Sequence, residues 1–236
     1  MVGAVIVAAG KGLRMKAETP KQYMMLAGLP VLCHTLRRFL ACDVVDAIAL
    51  VVPEKDQDYC RRCILPEAAT DKPVTLVCGG PQRQDSVGNG LAAISPGHDD
   101  DLIVIHDGVR PLVLPADIDA CVQMAAVTGA CILGQPAADT LKQVAMGHRI
   151  VSTIERRTVW RAQTPQVFKR RIILAAHRAA REQGLPATDD SALVEALGIP
   201  VSIIAAGNEN IKITTPNDLE LAAALLTDDA SFQAGS

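Results

Sequence analysis

Aromatic side chains are scarce in this chain, with one Trp, two Tyr and three Phe among 236 residues. A core must therefore be packed from aliphatic side chains, which the 49% hydrophobic fraction supplies. An excess of positive charge is also missing: 23 Lys and Arg stand against 26 Asp and Glu. That balance excludes an electrostatic footprint for nucleic acid or an anionic membrane, so any basic residues that matter act locally. No apolar run is long enough to cross a bilayer, and the stretch from Met1 to Gly10 has no basic segment before it, so it reads as a buried strand. Cys60 and Cys63 have C-x-x-C spacing but lack a second ligand pair or a preceding strand. The helical pattern of residues 54–65 instead sets these two thiols one turn apart. The other five cysteines (Cys33, Cys42, Cys78, Cys121, Cys131) fall in apolar segments and read as small core residues of a protein kept in a reducing compartment, the cytoplasm. Repeats, low-complexity blocks and linkers are absent, which leaves one domain over residues 1–226 and a small polar tail, 227–236, expected to be disordered.

What is present is an alternation of short β-branched runs with longer helical patterns. Residues 2–7, 47–52, 74–77, 102–105 and 130–133 read as strands buried on both faces, since polar alternation is missing from them. The pattern predicts an α/β fold with a doubly wound, mostly parallel sheet, Rossmann-like, whose strand ends form a ligand-binding edge. After Gln135 the pattern changes. Residues 140–144 and 149–157 flank the turn Met146-Gly147-His148 and read as a β-hairpin inserted at about 137–162. Either it projects as an arm onto a second subunit or it folds back on its own domain; the spacing fits both. Helices are predicted over 169–183 and 189–197, then strands over 201–205 and 211–213. A last helix starts at Pro216, with Thr215 as its cap and Asp218 completing the cap.

The first strand runs into Ala8-Ala9-Gly10-Lys11-Gly12-Leu13-Arg14-Met15, a loop whose small residues let backbone N–H groups approach phosphates. Met15 stands where a dinucleotide fingerprint needs its third glycine, and no Gly-Lys-Ser/Thr follows, so two common phosphate loops are excluded. A bare Gly-x-Gly also fits a plain strand-to-helix turn. Arg14, Lys16 and Lys21 follow closely, and charge developing on a phosphorus under attack is stabilised by fixed cations of this kind.

Further motifs occur in order: Pro20-Lys21-Gln22, Gly79-Gly80 with Arg83-Gln84-Asp85-Ser86-Val87, and His106-Asp107-Gly108-Val109-Arg110-Pro111. Asp139-Thr140-Leu141-Lys142, Thr164-Pro165-Gln166, Thr188-Asp189-Asp190 and Asn210-Ile211-Lys212 complete the series. Together with the loop at residues 8–15 they resemble the 2-C-methyl-D-erythritol 4-phosphate cytidylyltransferases over nearly the whole chain. The resemblance implies transfer of CMP from CTP to methylerythritol phosphate with release of pyrophosphate, aided by Mg2+ held mainly on the CTP phosphates. It assigns catalysis to Arg14, Lys21, Arg156 and Lys212. Nucleotide binding falls to Ala8, Ala9, Gly10, Gly12, Arg14, Lys21, Gly79, Gly80, Arg83, Ser86 and Asp107. Polyol phosphate binding falls to Asp107, Arg110, Thr140, Arg156, Thr164, Thr188 and Lys212, with Asp107 also a candidate metal ligand. It further implies a homodimer joined through the arm. Ribitol 5-phosphate cytidylyltransferases share most of these motifs and are the nearest alternative substrate class. A nucleotide-binding regulatory module without turnover is the alternative of another kind, and it would be expected to lack Arg14, Lys21 and Lys212.

Overall fold

The structure is a computed structural model and describes residues 1–10, 19–68, 71–94 and 97–233, with side chains through residue 226. In chain order its strands are β1 (Val2–Val7), β2 (Met25–Leu26), β3 (Leu29–Pro30), β4 (Ala47–Val52), β5 (Val74–Cys78) and β6 (Leu102–Asp107). They continue with β7 (Ala130–Pro136), β8 (Leu141–Ala145), β9 (Arg149–Ile154), β10 (Trp160–Lys169) and β11 (Ser202–Ala205). The helices are α1 (Val31–Leu40), α2 (Gln57–Tyr59), α3 (Leu65–Ala68), α4 (Arg83–Ala93), α5 (Pro115–Thr128), α6 (Arg170–Gln183), α7 (Asp190–Glu195) and α8 (Pro216–Gln233).

Seven strands form one sheet in the order β11-β7-β10-β6-β1-β4-β5, and the mostly parallel sheet expected from the buried runs is what forms. Every neighbouring pair is parallel except those made by β10, which runs antiparallel between β6 and β7. Successive strand residues point to opposite faces, so Val5 and Ile6 enter different cores. Ile6, Leu50 and Val104 pack with Leu36 and Phe39 of α1 and Ile118 of α5. Val5, Val51 and Ile105 pack with Val87 and Leu91 of α4 and Ile173 of α6. Gly90 is where α4 comes closest to the sheet, because a Cβ at that position would collide with Val5.

Several expectations need correction. Strand β10 went unread because Pro165 and the polar residues Gln163, Thr164 and Gln166 interrupt its β-branched pattern. The structure accommodates them where the register with β7 shifts between Ala162 and Gln166. Residues 211–213 form no strand; Ile213 N–H donates to Val109 C=O and the segment is otherwise irregular. The second strand of the hairpin, read as 149–157, ends at Ile154, and Arg156 and Arg157 lie in a 3-10 turn beyond it. Helix α8 runs from Pro216 to Gln233. Residues 54–65 are helical, as expected, but the two thiols differ: Cys60 is buried and Cys63 exposed, and Cys78 is exposed as well. The capped start of α8 matches the sequence pattern, with Thr215 N–H donating to Asp218 Oδ2 at 2.8 Å.

Hairpin β8–β9 projects. All six residues of β9 are exposed, Ile150, Val151 and Ile154 among them, and so is Met146 at the turn, so apolar side chains of the hairpin stand open to solvent. Among the described residues no helix is long and apolar enough to cross a membrane.

Candidate active site

The sheet changes winding direction between β1 and β6. The chain moves outward through β4 and β5 on one side, and through β6 on the other. Such a switch point leaves a crevice beyond the C-terminal strand ends. Val7 and Asp107 are register partners there, and Gly108 N–H donates to Val7 C=O at 2.8 Å. On the other side Ala8 N–H reaches Val51 C=O at 2.8 Å and Gly79 N–H reaches Val52 C=O at 2.9 Å. These bonds lace four loops into one floor. Gly79 is required by that packing, since a Cβ there would strike Ala9.

A cavity of about 180 Å³ opens above this floor. Ala8, Ala9 and Gly10 form one wall, Gly80 and Ser86 another, and Lys21, Arg83, Asp107 and Lys212 bring the charge. Ser86 Oγ accepts from Gly80 N–H at 3.1 Å, which fixes the turn leading into α4. An adjoining cavity of about 350 Å³ is lined by Gly79, Gly80, Gln22 and Asp56, among others.

Asp107 is the electrostatic centre. Its Oδ1 lies 3.2 Å from Arg83 Nε, and its Oδ2 lies 2.7 Å from Lys212 Nζ and 3.8 Å from Arg110 Nε. Burial pushes this carboxyl up, but Arg83 and Lys212 outweigh burial and hold it well below the usual carboxylate range. Burial works against the charged form of Arg83 too, and Asp190 and Asp107 overcome it. Arg83 Nη1 meets Asp190 Oδ2 at 2.6 Å, so its guanidinium spans two carboxylates. Behind Asp107, the Thr164 hydroxyl accepts from Asp107 N–H at 3.1 Å and donates to His106 Nδ1 at 3.0 Å. Burial pushes His106 down to about 3, so the ring is neutral and Nε2 is left to donate to Arg110 C=O at 3.2 Å.

Ala8, Ala9, Gly10, Lys21, Gly79, Gly80, Arg83, Ser86, Asp107 and Lys212 therefore come together as the sequence pattern anticipates. Gly12 and Arg14 lie outside the described residues. Arg110 and Thr164 sit beside Asp107 but are buried and engaged with protein groups, Arg110 Nη1 donating to Asn210 C=O at 2.8 Å. Thr140, Arg156 and Thr188 are exposed and do not line the cavity of their own chain; Arg156 Nη1 donates to Ala138 C=O at 2.6 Å at the base of the arm.

Sequence reasoning passed over Asp190, Gln166, His177 and Asn210. Three of these belong to motifs quoted above, but their importance comes from contacts. Asn210 Nδ2 ties Gln163 Oε1 and Thr164 C=O at 2.8 and 3.0 Å, which anchors the segment carrying Lys212. His177 gave no signal in the sequence at all. Among the described residues no group of three or more His, Cys, Asp or Glu side chains could hold a metal ion by itself. Asp107 offers one hard oxygen donor, which fits Mg2+ only where substrate phosphates supply the other ligands.

Cations gathered around one carboxylate, beside a small-residue loop at the switch point of a doubly wound sheet, define a nucleotidyltransferase. The family model for IspD, 2-C-methyl-D-erythritol 4-phosphate cytidylyltransferase, matches residues 2–228. Relatives of that name from Pelotomaculum thermopropionicum and Syntrophus aciditrophicus are 47% and 44% identical over 225 residues. Each alignment takes in 95% of this chain, with 94% and 95% of the relatives' lengths. A solved 4-diphosphocytidyl-2C-methyl-D-erythritol synthase from Anaerococcus prevotii superposes with a TM-score of 0.85 at 31% identity, covering 96% of each chain. The chain belongs to the 2-C-methyl-D-erythritol 4-phosphate cytidylyltransferase family.

Proposed function

We propose that the protein transfers CMP from CTP to 2-C-methyl-D-erythritol 4-phosphate, releasing pyrophosphate. The observation that carries this is the Lys212–Asp107–Arg83 constellation beside the Ala8–Gly10 wall and Lys21, in a chain of this family. The attacking phosphate oxygen is already anionic at neutral pH, so no general base is needed. It attacks the α-phosphorus in line and the bond to pyrophosphate breaks on the opposite side. Lys21 and Lys212 stabilise charge on the equatorial oxygens, while the backbone at Gly79 and Gly80 receives base and ribose. Lys212 exchanges its Asp107 partner for the incoming phosphate, and the freed carboxylate faces the polyol or a cation. Asp107 is the residue that would help hold a Mg2+ ion carried by the CTP phosphates, and such an ion would supply positive charge for the leaving group.

The exposed arm supports a homodimer in which Ile150, Val151 and Ile154 cover a second copy of the chain. Arg156 and Thr140, exposed at the arm's base, then reach the partner's cavity and hold the polyol phosphate there. Thr188 adds a hydroxyl contact at the rim. All seven cysteines are free, which supports a reducing, cytoplasmic setting.

The test is pyrophosphate release by the purified protein with CTP and Mg2+, offering methylerythritol phosphate and ribitol phosphate in separate reactions. Release with the first alone is expected. Release with neither sinks the catalytic reading, and release with ribitol phosphate alone replaces the substrate.

A further inference from the structure

Asp190 is a buried carboxylate that the reaction does not use. It is 1% exposed and stands at the first position of α7, yet the capping of that helix is done by its neighbour, since Ala192 N–H donates to Asp189 Oδ1 at 3.1 Å. Taking a carboxylate out of water costs several kcal/mol unless it is paired, and an apolar residue at such a place usually packs at less cost. Its two oxygens are committed in opposite directions. Oδ2 accepts from Arg83 Nη1 at 2.6 Å, and Oδ1 accepts from His177 Nε2 at 3.0 Å. His177 is 5% exposed on α6. The backbone is fixed as well, because Asp190 N–H and Ser191 N–H both donate to Gln166 Oε1 at 3.0 Å.

A single line of contacts thus runs from α6 to the carboxylate at the centre of the site: His177, Asp190, Arg83, Asp107. Arg83 lines the nucleotide cavity, and two of its three guanidinium nitrogens are taken, Nε by Asp107 and Nη1 by Asp190. A guanidinium held at two corners presents its third in one direction, which is the condition for useful electrostatic stabilisation. Without the hydrogen bond from His177, Asp190 can turn away from Arg83, and Arg83 then closes on Asp107 alone.

We propose that His177 is a positioning residue for the nucleotidyl transfer, acting through Asp190 to set where Arg83 stands against Asp107 and the nucleotide. It touches no substrate. This rests on the reading of the site as a CTP site, so the test includes a measurement that needs no turnover. His177→Leu removes the donor, and His177→Gln keeps an amide N–H at a similar reach from Cα. Loss of one fixed, charge-assisted hydrogen bond corresponds to about a tenfold effect. The expected result is about a tenfold rise in the KM for CTP, or fall in kcat, for His177→Leu, with His177→Gln within about twofold of the parent.

The second readout is the Arg83 Nε–H resonance in nitrogen-edited NMR spectra of the full chain. It should be sharp and slow to exchange in the parent and His177→Gln, and broadened or lost in His177→Leu. An unchanged Arg83 resonance in His177→Leu overturns the inference whether or not the protein turns over CTP. So does a His177→Leu protein of reduced thermal stability with parental kcat and KM, because packing alone would then be its role. An inactive parent protein defeats the functional reading, while the NMR comparison still decides the positioning role.

Discussion

Lys212 is the residue on which charge and the proposed chemistry meet. Its ammonium is partly exposed and lies 2.7 Å from Oδ2 of the buried Asp107, which keeps Arg83 and Arg110 as partners when Lys212 is removed. Lys212→Ala should therefore lower the melting temperature by no more than about 3 °C. It should lower kcat by about 10²- to 10³-fold, the loss seen when one preorganised donor to a developing charge is removed. Lys21→Ala is expected to behave alike, and near-parental turnover of either variant would remove its assigned role. Both lysines were legible in the sequence, because a cation following a small-residue loop or sitting in a family motif stands out in one dimension. The pairing of Arg83 with Asp190 was not, since 107 residues separate them and neither position has an unusual neighbour.

At the scale of elements the arm and β10 taught opposite lessons. The hairpin was readable from its Gly-containing turn, but whether it projects could be decided only by finding that every residue of β9 is exposed. Charged substitutions on its apolar face test the proposed dimer directly. Ile150→Glu with Ile154→Glu should yield a monomer in sedimentation experiments, with normal CTP binding and polyol phosphate turnover reduced at least about tenfold. A dimer that survives both changes must be built elsewhere. Strand β10 escaped notice because a proline and three polar side chains hide its pattern, although its central position between β6 and β7 makes it indispensable to the sheet. Those polar residues are what make it useful, since Thr164 and Gln166 reach Asp107 and α7.

For the whole molecule, acid is the informative variable. Asp107 and Asp190 are both held below the ordinary carboxylate range, so their contribution to stability is complete above about pH 5 and is lost as pH falls below about 4. His106 adds a term of the same sign. Its ring is pushed down to about 3 in the fold against about 6.5 in the unfolded chain, so the unfolded state takes up the proton first and stability declines as pH falls from about 6.5. Denaturant midpoints should therefore drop steadily between about pH 6.5 and 4, and His106→Asn should flatten the upper part of that decline. Constant stability over this range would contradict the buried neutral histidine.

The sequence by itself determined the class of fold, the edge of the sheet where the cavity opens and most of the cavity's residues, because buried parallel strands and small-residue loops leave local patterns that survive in one dimension. The tertiary structure alone decided which cation faces which carboxylate, that the arm stands free, and that Arg83 is held from behind by His177 through Asp190. Those depend on distances between residues far apart in the chain, and burial raises the strength of each such contact without leaving any mark on the residues beside it in sequence.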